Sequence, residues 1–290
     1  MKNKYILPLL IFSSTLLVGC GSKASLFRDS EEIKEDKHQS RLLEVNENTP
    51  SINQSDVKDV IARVLYKVAN RSDYKVTSEG TSKASIATQS ISNLRIVKDN
   101  KAFLQTTSTG LINFSKQKFL LKDEEKYFQR EASNVSSSNV TYDDSSSPEC
   151  YSFSYYLDEY GALPFQATSY VINEDTYLAT PTISKEGDNY KINISLDPSS
   201  DKAPYYYVSE ILTSSESSTV PVFTLINLEW VIDENYNLIT ATQDEEYDVT
   251  KIIKAHTVTH VVDTYSYENI EFDENIYSYF SKYFSNEVII

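Results

Sequence analysis

The sequence predicts an α+β protein, mainly antiparallel β, with helices laid on a sheet. Three observations carry that prediction. Val57, Val60, Ile61, Val64, Leu65 and Val68 repeat at the spacing of one helix face. Short β-rich stretches follow one another between residues 74 and 130 across tight turns, which makes an antiparallel meander rather than βαβ units. Residues 222–232 then run with a two-residue period. Composition agrees. Of 290 residues 40% are hydrophobic, enough for a folded core, and there are 22 Tyr and 12 Phe against one Trp and six Gly. Tyr, Thr, Val and Ile favour strands.

Taken in order, the first helix has Ser55 as its N-cap, Asp56 and Asp59 in the first turn, and an end near Asn70. Strands follow at 74–81, 94–98 and 102–107, the last two joined at Asp99-Asn100 as a hairpin. A second pair, 118–122 and 126–130, turns about Asp123-Glu124-Glu125. Residues 131–150 are rich in Ser, Asn and Asp and read as a long loop. Residues 151–160 read as a short aromatic helix stopped by Gly161 and Pro164. A strand and turn within 168–183, a strand over 189–196 and a helix over 203–212 come next. In 222–232, Val222, Thr224, Ile226, Leu228, Trp230 and Ile232 form one face, and Phe223, Leu225, Asn227, Glu229 and Val231 the other. Apolar residues on both faces near the start imply a sheet covered on both sides there. Residues 233–237 turn the chain, and 238–249 and 252–267 return as strands. Ile276, Tyr279, Phe280, Tyr283 and Phe284 mark a C-terminal amphipathic helix.

The N-terminus has a different character. Lys2 and Lys4 precede an apolar run of about 14 residues that begins near Tyr5. That run is shorter than the roughly 20 residues a spanning helix needs. A basic start, a short apolar middle and a small residue before the cut make a secretory signal. The signal covers residues 1–19 and leaves 271 residues, one large domain or two small ones. Residues 20–54 are polar and charge-rich and read as a tether, with a single domain over 55–290.

Leu17-Val18-Gly19-Cys20 resembles the lipobox of bacterial lipoproteins. The resemblance implies cleavage before Cys20 and acylation of that cysteine. Bacterial lipoproteins carry at least two acyl chains, enough for stable anchoring. The implied address is the outer face of the cell membrane. Abundant Lys, Asn, Ile and Tyr suggest an AT-rich genome and a Gram-positive host. With Cys20 acylated, Cys150 has no partner in the chain, so no internal disulfide is expected. Net charge is −15, and −17 once Lys2 and Lys4 are lost. That disfavours nucleic acid, so no nucleic-acid partner is expected, and it argues against flat docking on anionic headgroups.

The order of tether, amphipathic helix and long meander resembles the half-barrel fold of the LolA and LppX group of lipoprotein carriers and lipid-binding lipoproteins. The matching stretches are 57–68, 74–130, 190–196 with 203–212, and 222–267. The resemblance implies a curved β-sheet, a half-barrel, covered by helices. It also implies a hydrophobic or lipid ligand in the cleft between them. Candidate cleft residues are Val57, Ile61, Val64 and Leu65 on the helix and Ile226, Leu228 and Trp230 on the sheet. The apolar pattern is the same for a filled core, which is the commoner state.

Catalytic signatures are absent from the sequence, and no cofactor is implied. No Gly-x-Ser-x-Gly elbow, phosphate loop or Cys-x-x-Cys occurs. His256 and His260 lie on a predicted strand, where four residues span about 13 Å, too far for one ion. Asp233-Glu234-Asn235-Tyr236-Asn237 has the acidic start of a calcium loop, but Leu238 stands where Gly is required, so a hairpin turn is expected. Two tyrosine clusters, Tyr151, Tyr155, Tyr156 and Tyr160, and Tyr205, Tyr206 and Tyr207, read as rings turned inward with hydroxyls in water. The expected function is therefore a membrane-anchored, non-catalytic binding module for a hydrophobic small molecule or lipid. The alternatives are a structural or adhesive surface protein engaging another protein, and an envelope hydrolase with a site formed only in the fold.

Overall fold

The computed structural model describes residues 38–85, 87–110, 113–123, 126–134, 148–215, 219–250 and 254–284. The predicted signal, Cys20, residues 21–37 of the tether and most of the Ser-rich loop lie outside the described residues. The described residues form one open, 11-stranded antiparallel sheet with few helices. The described residues include no helix long and apolar enough to cross a membrane.

Helix α1 (Val57–Asn70) buries Val57, Val60, Ile61, Ala62, Val64, Leu65 and Val68, the stripe its spacing predicts. Asp56 rather than Ser55 stands at its N-cap. Strands β1 (Asp73–Ala84), β2 (Ala87–Lys98), β3 (Lys101–Thr109), β4 (Phe114–Asp123), β5 (Lys126–Asn134) and β6 (Glu149–Ser152) follow as a meander. The β2–β3 turn has positive φ at both Asp99 and Asn100, 49° and 62°, as a type I′ turn requires. Part of the predicted loop is strand, since β5 runs on to Asn134 and β6 starts at Glu149. Helix α2 (Phe153–Tyr160) is capped by the Ser152 side chain and ended by left-handed Gly161.

After α2 the chain reaches the opposite sheet edge. It continues through β7 (Thr182–Glu186), β8 (Asn189–Ser195), α3 (Tyr207–Ser215), β9 (Val222–Ile232), β10 (Leu238–Thr250), β11 (Lys254–Ser266) and α4 (Glu274–Tyr283). The sheet order is β6-β5-β4-β3-β2-β1-β11-β10-β9-β8-β7. It is two meanders joined where β1 pairs with β11, with Lys75 opposite Ser266 and Ala84 opposite Thr257. Gly80 sits at that seam, where a Cβ would lie 2.3 Å from the His260 carbonyl oxygen.

One face of the sheet shares a core with α1, α2 and α3. Val60, Ile61 and Val64 of α1 join Val76, Leu104, Leu120, Ile194, Leu228 and Trp230 from the strands. Each such buried aliphatic contributes roughly 1.5–3 kcal/mol. Helix α4 packs on the opposite face, with Ile276, Tyr279 and Phe280 against Ile96, Phe103, Phe119 and Leu121. Double coverage therefore falls on β2–β4, where runs such as Phe119-Leu120-Leu121 lack alternation, and not at the start of β9. There Val222 is 59% exposed.

Residues 38–54, read from sequence as tether, lie against this body. The Arg41 and Leu43 amides donate to the carbonyls of Ile172 and Ala62, and Tyr236 donates to the Pro50 carbonyl at 2.8 Å. Val45 and Ile52 pack on the core. Charged Glu44 and Arg63 obscured this, because their interaction joins a backbone carbonyl to a side chain 19 positions away.

Candidate functional site

Strands β6 and β7 are opposite edges of the sheet, so the chain between them must cross it. That crossing borders a cavity of about 530 Å³. The volume falls in the range of small-molecule sites, roughly 300–1,000 Å³. Leu65, Ala69 and Asn70 of α1 form one wall, and Phe153 and Leu157 of α2 another. Lys122 and Tyr127 come from the β4–β5 hairpin, Leu163, Phe165, Tyr170 and Val171 from the crossing segment, and His38, Ser40 and Leu42 from the N-terminal stretch. Gly161 permits the path. Its φ is +73°, and a Cβ there would sit 2.8 Å from Glu210 Cβ and 2.9 Å from the Tyr206 carbonyl oxygen. Arg95 then fixes the segment, donating to the Gln166 carbonyl at 2.8 Å and the Pro164 carbonyl at 3.4 Å.

The floor is aromatic. Tyr127 stacks on Phe153 at 4.3 Å and on Phe165 at 5.7 Å between ring centroids. The Lys122 ammonium lies 5.6 Å from the centroids of both Phe153 and Phe165. His38 at the rim stacks on Tyr205 at 3.6 Å. Among the described residues the lining holds no Asp or Glu.

Beneath the cavity lies a buried polar layer. Tyr170 lines the cavity and donates its hydroxyl to Glu245. Tyr207 and Gln243 donate to the same carboxylate at 3.2 and 2.8 Å. Burial pushes the Glu245 carboxyl above the usual carboxylate range, and these donors oppose the shift. Held by three side chains and fully buried, Glu245 is enclosed rather than offered to the cavity. Nearby Lys118 reaches Glu131 at 3.2 Å and lies 4.1 Å above the Tyr160 ring. Burial lowers its pKa, and Glu131 works against that.

Of the seven cleft residues expected from sequence, Leu65 lines the cavity. Val57, Ile61, Val64, Ile226, Leu228 and Trp230 are in the packed core. Cys20 lies outside the described residues. Cys150 is a free, exposed thiol on β6. His256 and His260 sit on β11 in separate pairs, with Asp248 at 3.0 Å and Asp244 at 2.6 Å. Among the described residues no group of acidic, Cys or His side chains is arranged to hold a metal. Asp233 uses its carboxylate in the turn, accepting from the Asn235 and Asn237 amides at 2.8 and 2.9 Å. The tyrosine hydroxyls differ from expectation. Tyr156 and Tyr207 are wholly buried, their hydroxyls bonded to Lys118 and Glu245. Interior charges took the place of water.

Sequence reasoning missed Lys122, Tyr127 and Phe165. Nothing in the local pattern marks them, because they meet only when the crossing segment lies over the β4–β5 hairpin. No family model and no curated protein matches the chain. Among solved structures, it is similar to the inactive mutant of CurK dehydratase at 8% identity and a TM-score of 0.14, over 69% of this chain and 78% of that one. A superposition that poor carries no argument about fold or activity.

Proposed function

We propose that this chain is a lipid-anchored, extracytoplasmic, non-catalytic binding module for a hydrophobic small molecule or lipid. In this reading residues 1–19 are the signal peptide. Acyl chains on Cys20 hold the protein at the outer face of the cell membrane, in a Gram-positive host. The domain is half-barrel-like, its curved sheet incompletely covered by helices, in the manner of the LolA and LppX group. The single observation that supports it is the cavity of about 530 Å³, with Leu65, Tyr127, Phe153, Leu157 and Phe165 in its walls. Apolar walls with a few placed polar groups are the common form of a ligand site.

Native mass spectrometry of the full chain, released from detergent, tests the binding. Retained lipid-sized mass that disappears in Phe165→Asp supports it, and a ligand-free spectrum after lipid exposure refutes it. Cell fractionation of Cys20→Ser tests the anchor: the variant is expected to leave the membrane pellet, and its retention there defeats the reading.

A further inference from the structure

The cavity has an electrostatic character at odds with the rest of the molecule. The chain carries a net charge of −15, yet among the described residues no carboxylate lines this cavity. Among the described residues the one Lys or Arg in its lining is Lys122, half-buried on β4. Its ammonium rests over the Phe153 and Phe165 rings. Among the described residues it has no carboxylate within salt-bridge distance, although Lys98, Lys118 and Lys191 each have one. An aromatic face is a weaker partner for an ammonium than an anion is. Helix α2 begins at Phe153 beside this ammonium and has no acidic residue in its first turn, so its positive end adds to the same potential. Around it the walls mix apolar side chains (Leu65, Leu157, Phe165) with uncharged polar ones (Asn70, Gln166, Thr168).

We propose that the cavity takes an amphiphile with an acidic head, a carboxylate or phosphate monoester, whose tail lies among Leu65, Tyr127, Leu157 and Phe165 and whose head meets Lys122. This rests on reading the cavity as a ligand site. The head is drawn to the ammonium of Lys122, and a cationic head would meet it with repulsion. A tail without a head fits the walls but leaves the ammonium on the rings alone.

The test uses the full chain in phosphatidylcholine nanodiscs, titrated calorimetrically against empty discs as reference. The probes share one tail: dodecanoate, dodecyl phosphate, dodecanol and dodecyltrimethylammonium, with inorganic phosphate alone as the tailless control. The two anionic probes are expected to bind about tenfold or more tighter than dodecanol, the worth of one charge-assisted hydrogen bond. The cation and inorganic phosphate are expected to bind weakest. Lys122→Met should bring dodecanoate down to the affinity of dodecanol while leaving dodecanol unchanged, and Lys122→Arg should restore the difference. Dodecanol or the cation binding as tightly as dodecanoate overturns the acidic head alone. Phosphate binding as well as dodecyl phosphate overturns the tail. No binding by any tailed probe removes the ligand site itself.

Discussion

The interior tyrosines set an alkaline limit on this fold. Tyr156, Tyr170, Tyr207, Tyr247 and Tyr265 are buried, and burial holds their hydroxyls well above the ordinary tyrosine value. Glu245 pushes the same way at Tyr170, Tyr207 and Tyr247, whereas at Tyr265 Arg95 opposes burial more than Asp263 adds to it. Below about pH 10 these groups are neutral in both states and contribute no pH dependence. Above it the unfolded chain releases protons that the folded chain keeps. The native state then binds more protons, so stability falls as pH rises. Each group costs about 1.4 kcal/mol per pH unit, and five together cost about 7 kcal/mol by roughly pH 11. That is comparable to the whole stability of an ordinary domain, about 5–15 kcal/mol. Lys118 acts oppositely, because its lowered pKa returns stability as pH approaches the unfolded lysine value. It is one group against five. The assay follows near-ultraviolet tyrosinate absorbance and far-ultraviolet circular dichroism through one pH series. The buried tyrosines are expected to ionise only in step with a cooperative loss of structure. Smooth ionisation of all 22 tyrosines with the dichroism unchanged to about pH 12 would refute the argument.

Three further outcomes follow from named contacts. Gly80→Ala presses a Cβ into the His260 carbonyl and the Val261 backbone, so strand β11 must shift. The expected loss is about 1–3 kcal/mol in urea unfolding, and an unchanged midpoint would contradict the close approach of β1 and β11. Arg95→Met leaves the Pro164 and Gln166 carbonyls and the Asp263 carboxylate without their buried cation. A loss of about 3–5 kcal/mol is expected, with faster amide exchange in residues 161–172. Unaltered exchange there would show that Arg95 does not hold the cavity wall. Glu245→Gln removes a carboxyl whose folded pKa is raised by burial. Wild-type stability then falls relative to the variant as pH rises from the unfolded carboxylate value, at up to about 1.4 kcal/mol per unit. A pH-independent difference between the two proteins would contradict that.

Elements with local signals were legible. The α1 stripe, the I′ turn at Asp99-Asn100 and the Asp233 turn each depend on residues a few positions apart. The candidate site was not. Leu65 was found because a helix face points at whatever the helix covers, but the same face also packs Ile61 and Val64 into solid core. Helical periodicity reports which side is apolar and not where a neighbour stops short of filling it. Phe165 sits in an irregular segment with no period to read, positioned by Arg95 some 70 residues earlier. Residues 38–54 gave no local signal of packing, because their contacts, such as Arg41 with Asp59 and Glu174 and Val45 and Ile52 on the core, join residues that no short pattern relates.

The sequence by itself determined the antiparallel β class and the amphipathic helices, because period and turn chemistry act over a few residues. Only the tertiary structure decided that β1 pairs with β11, that α4 takes the second face of β2–β4, and that the crossing after α2 leaves a cavity over Lys122. Those contacts join residues far apart in the chain. They are selected by how the whole chain packs at once, and no short stretch of it encodes them.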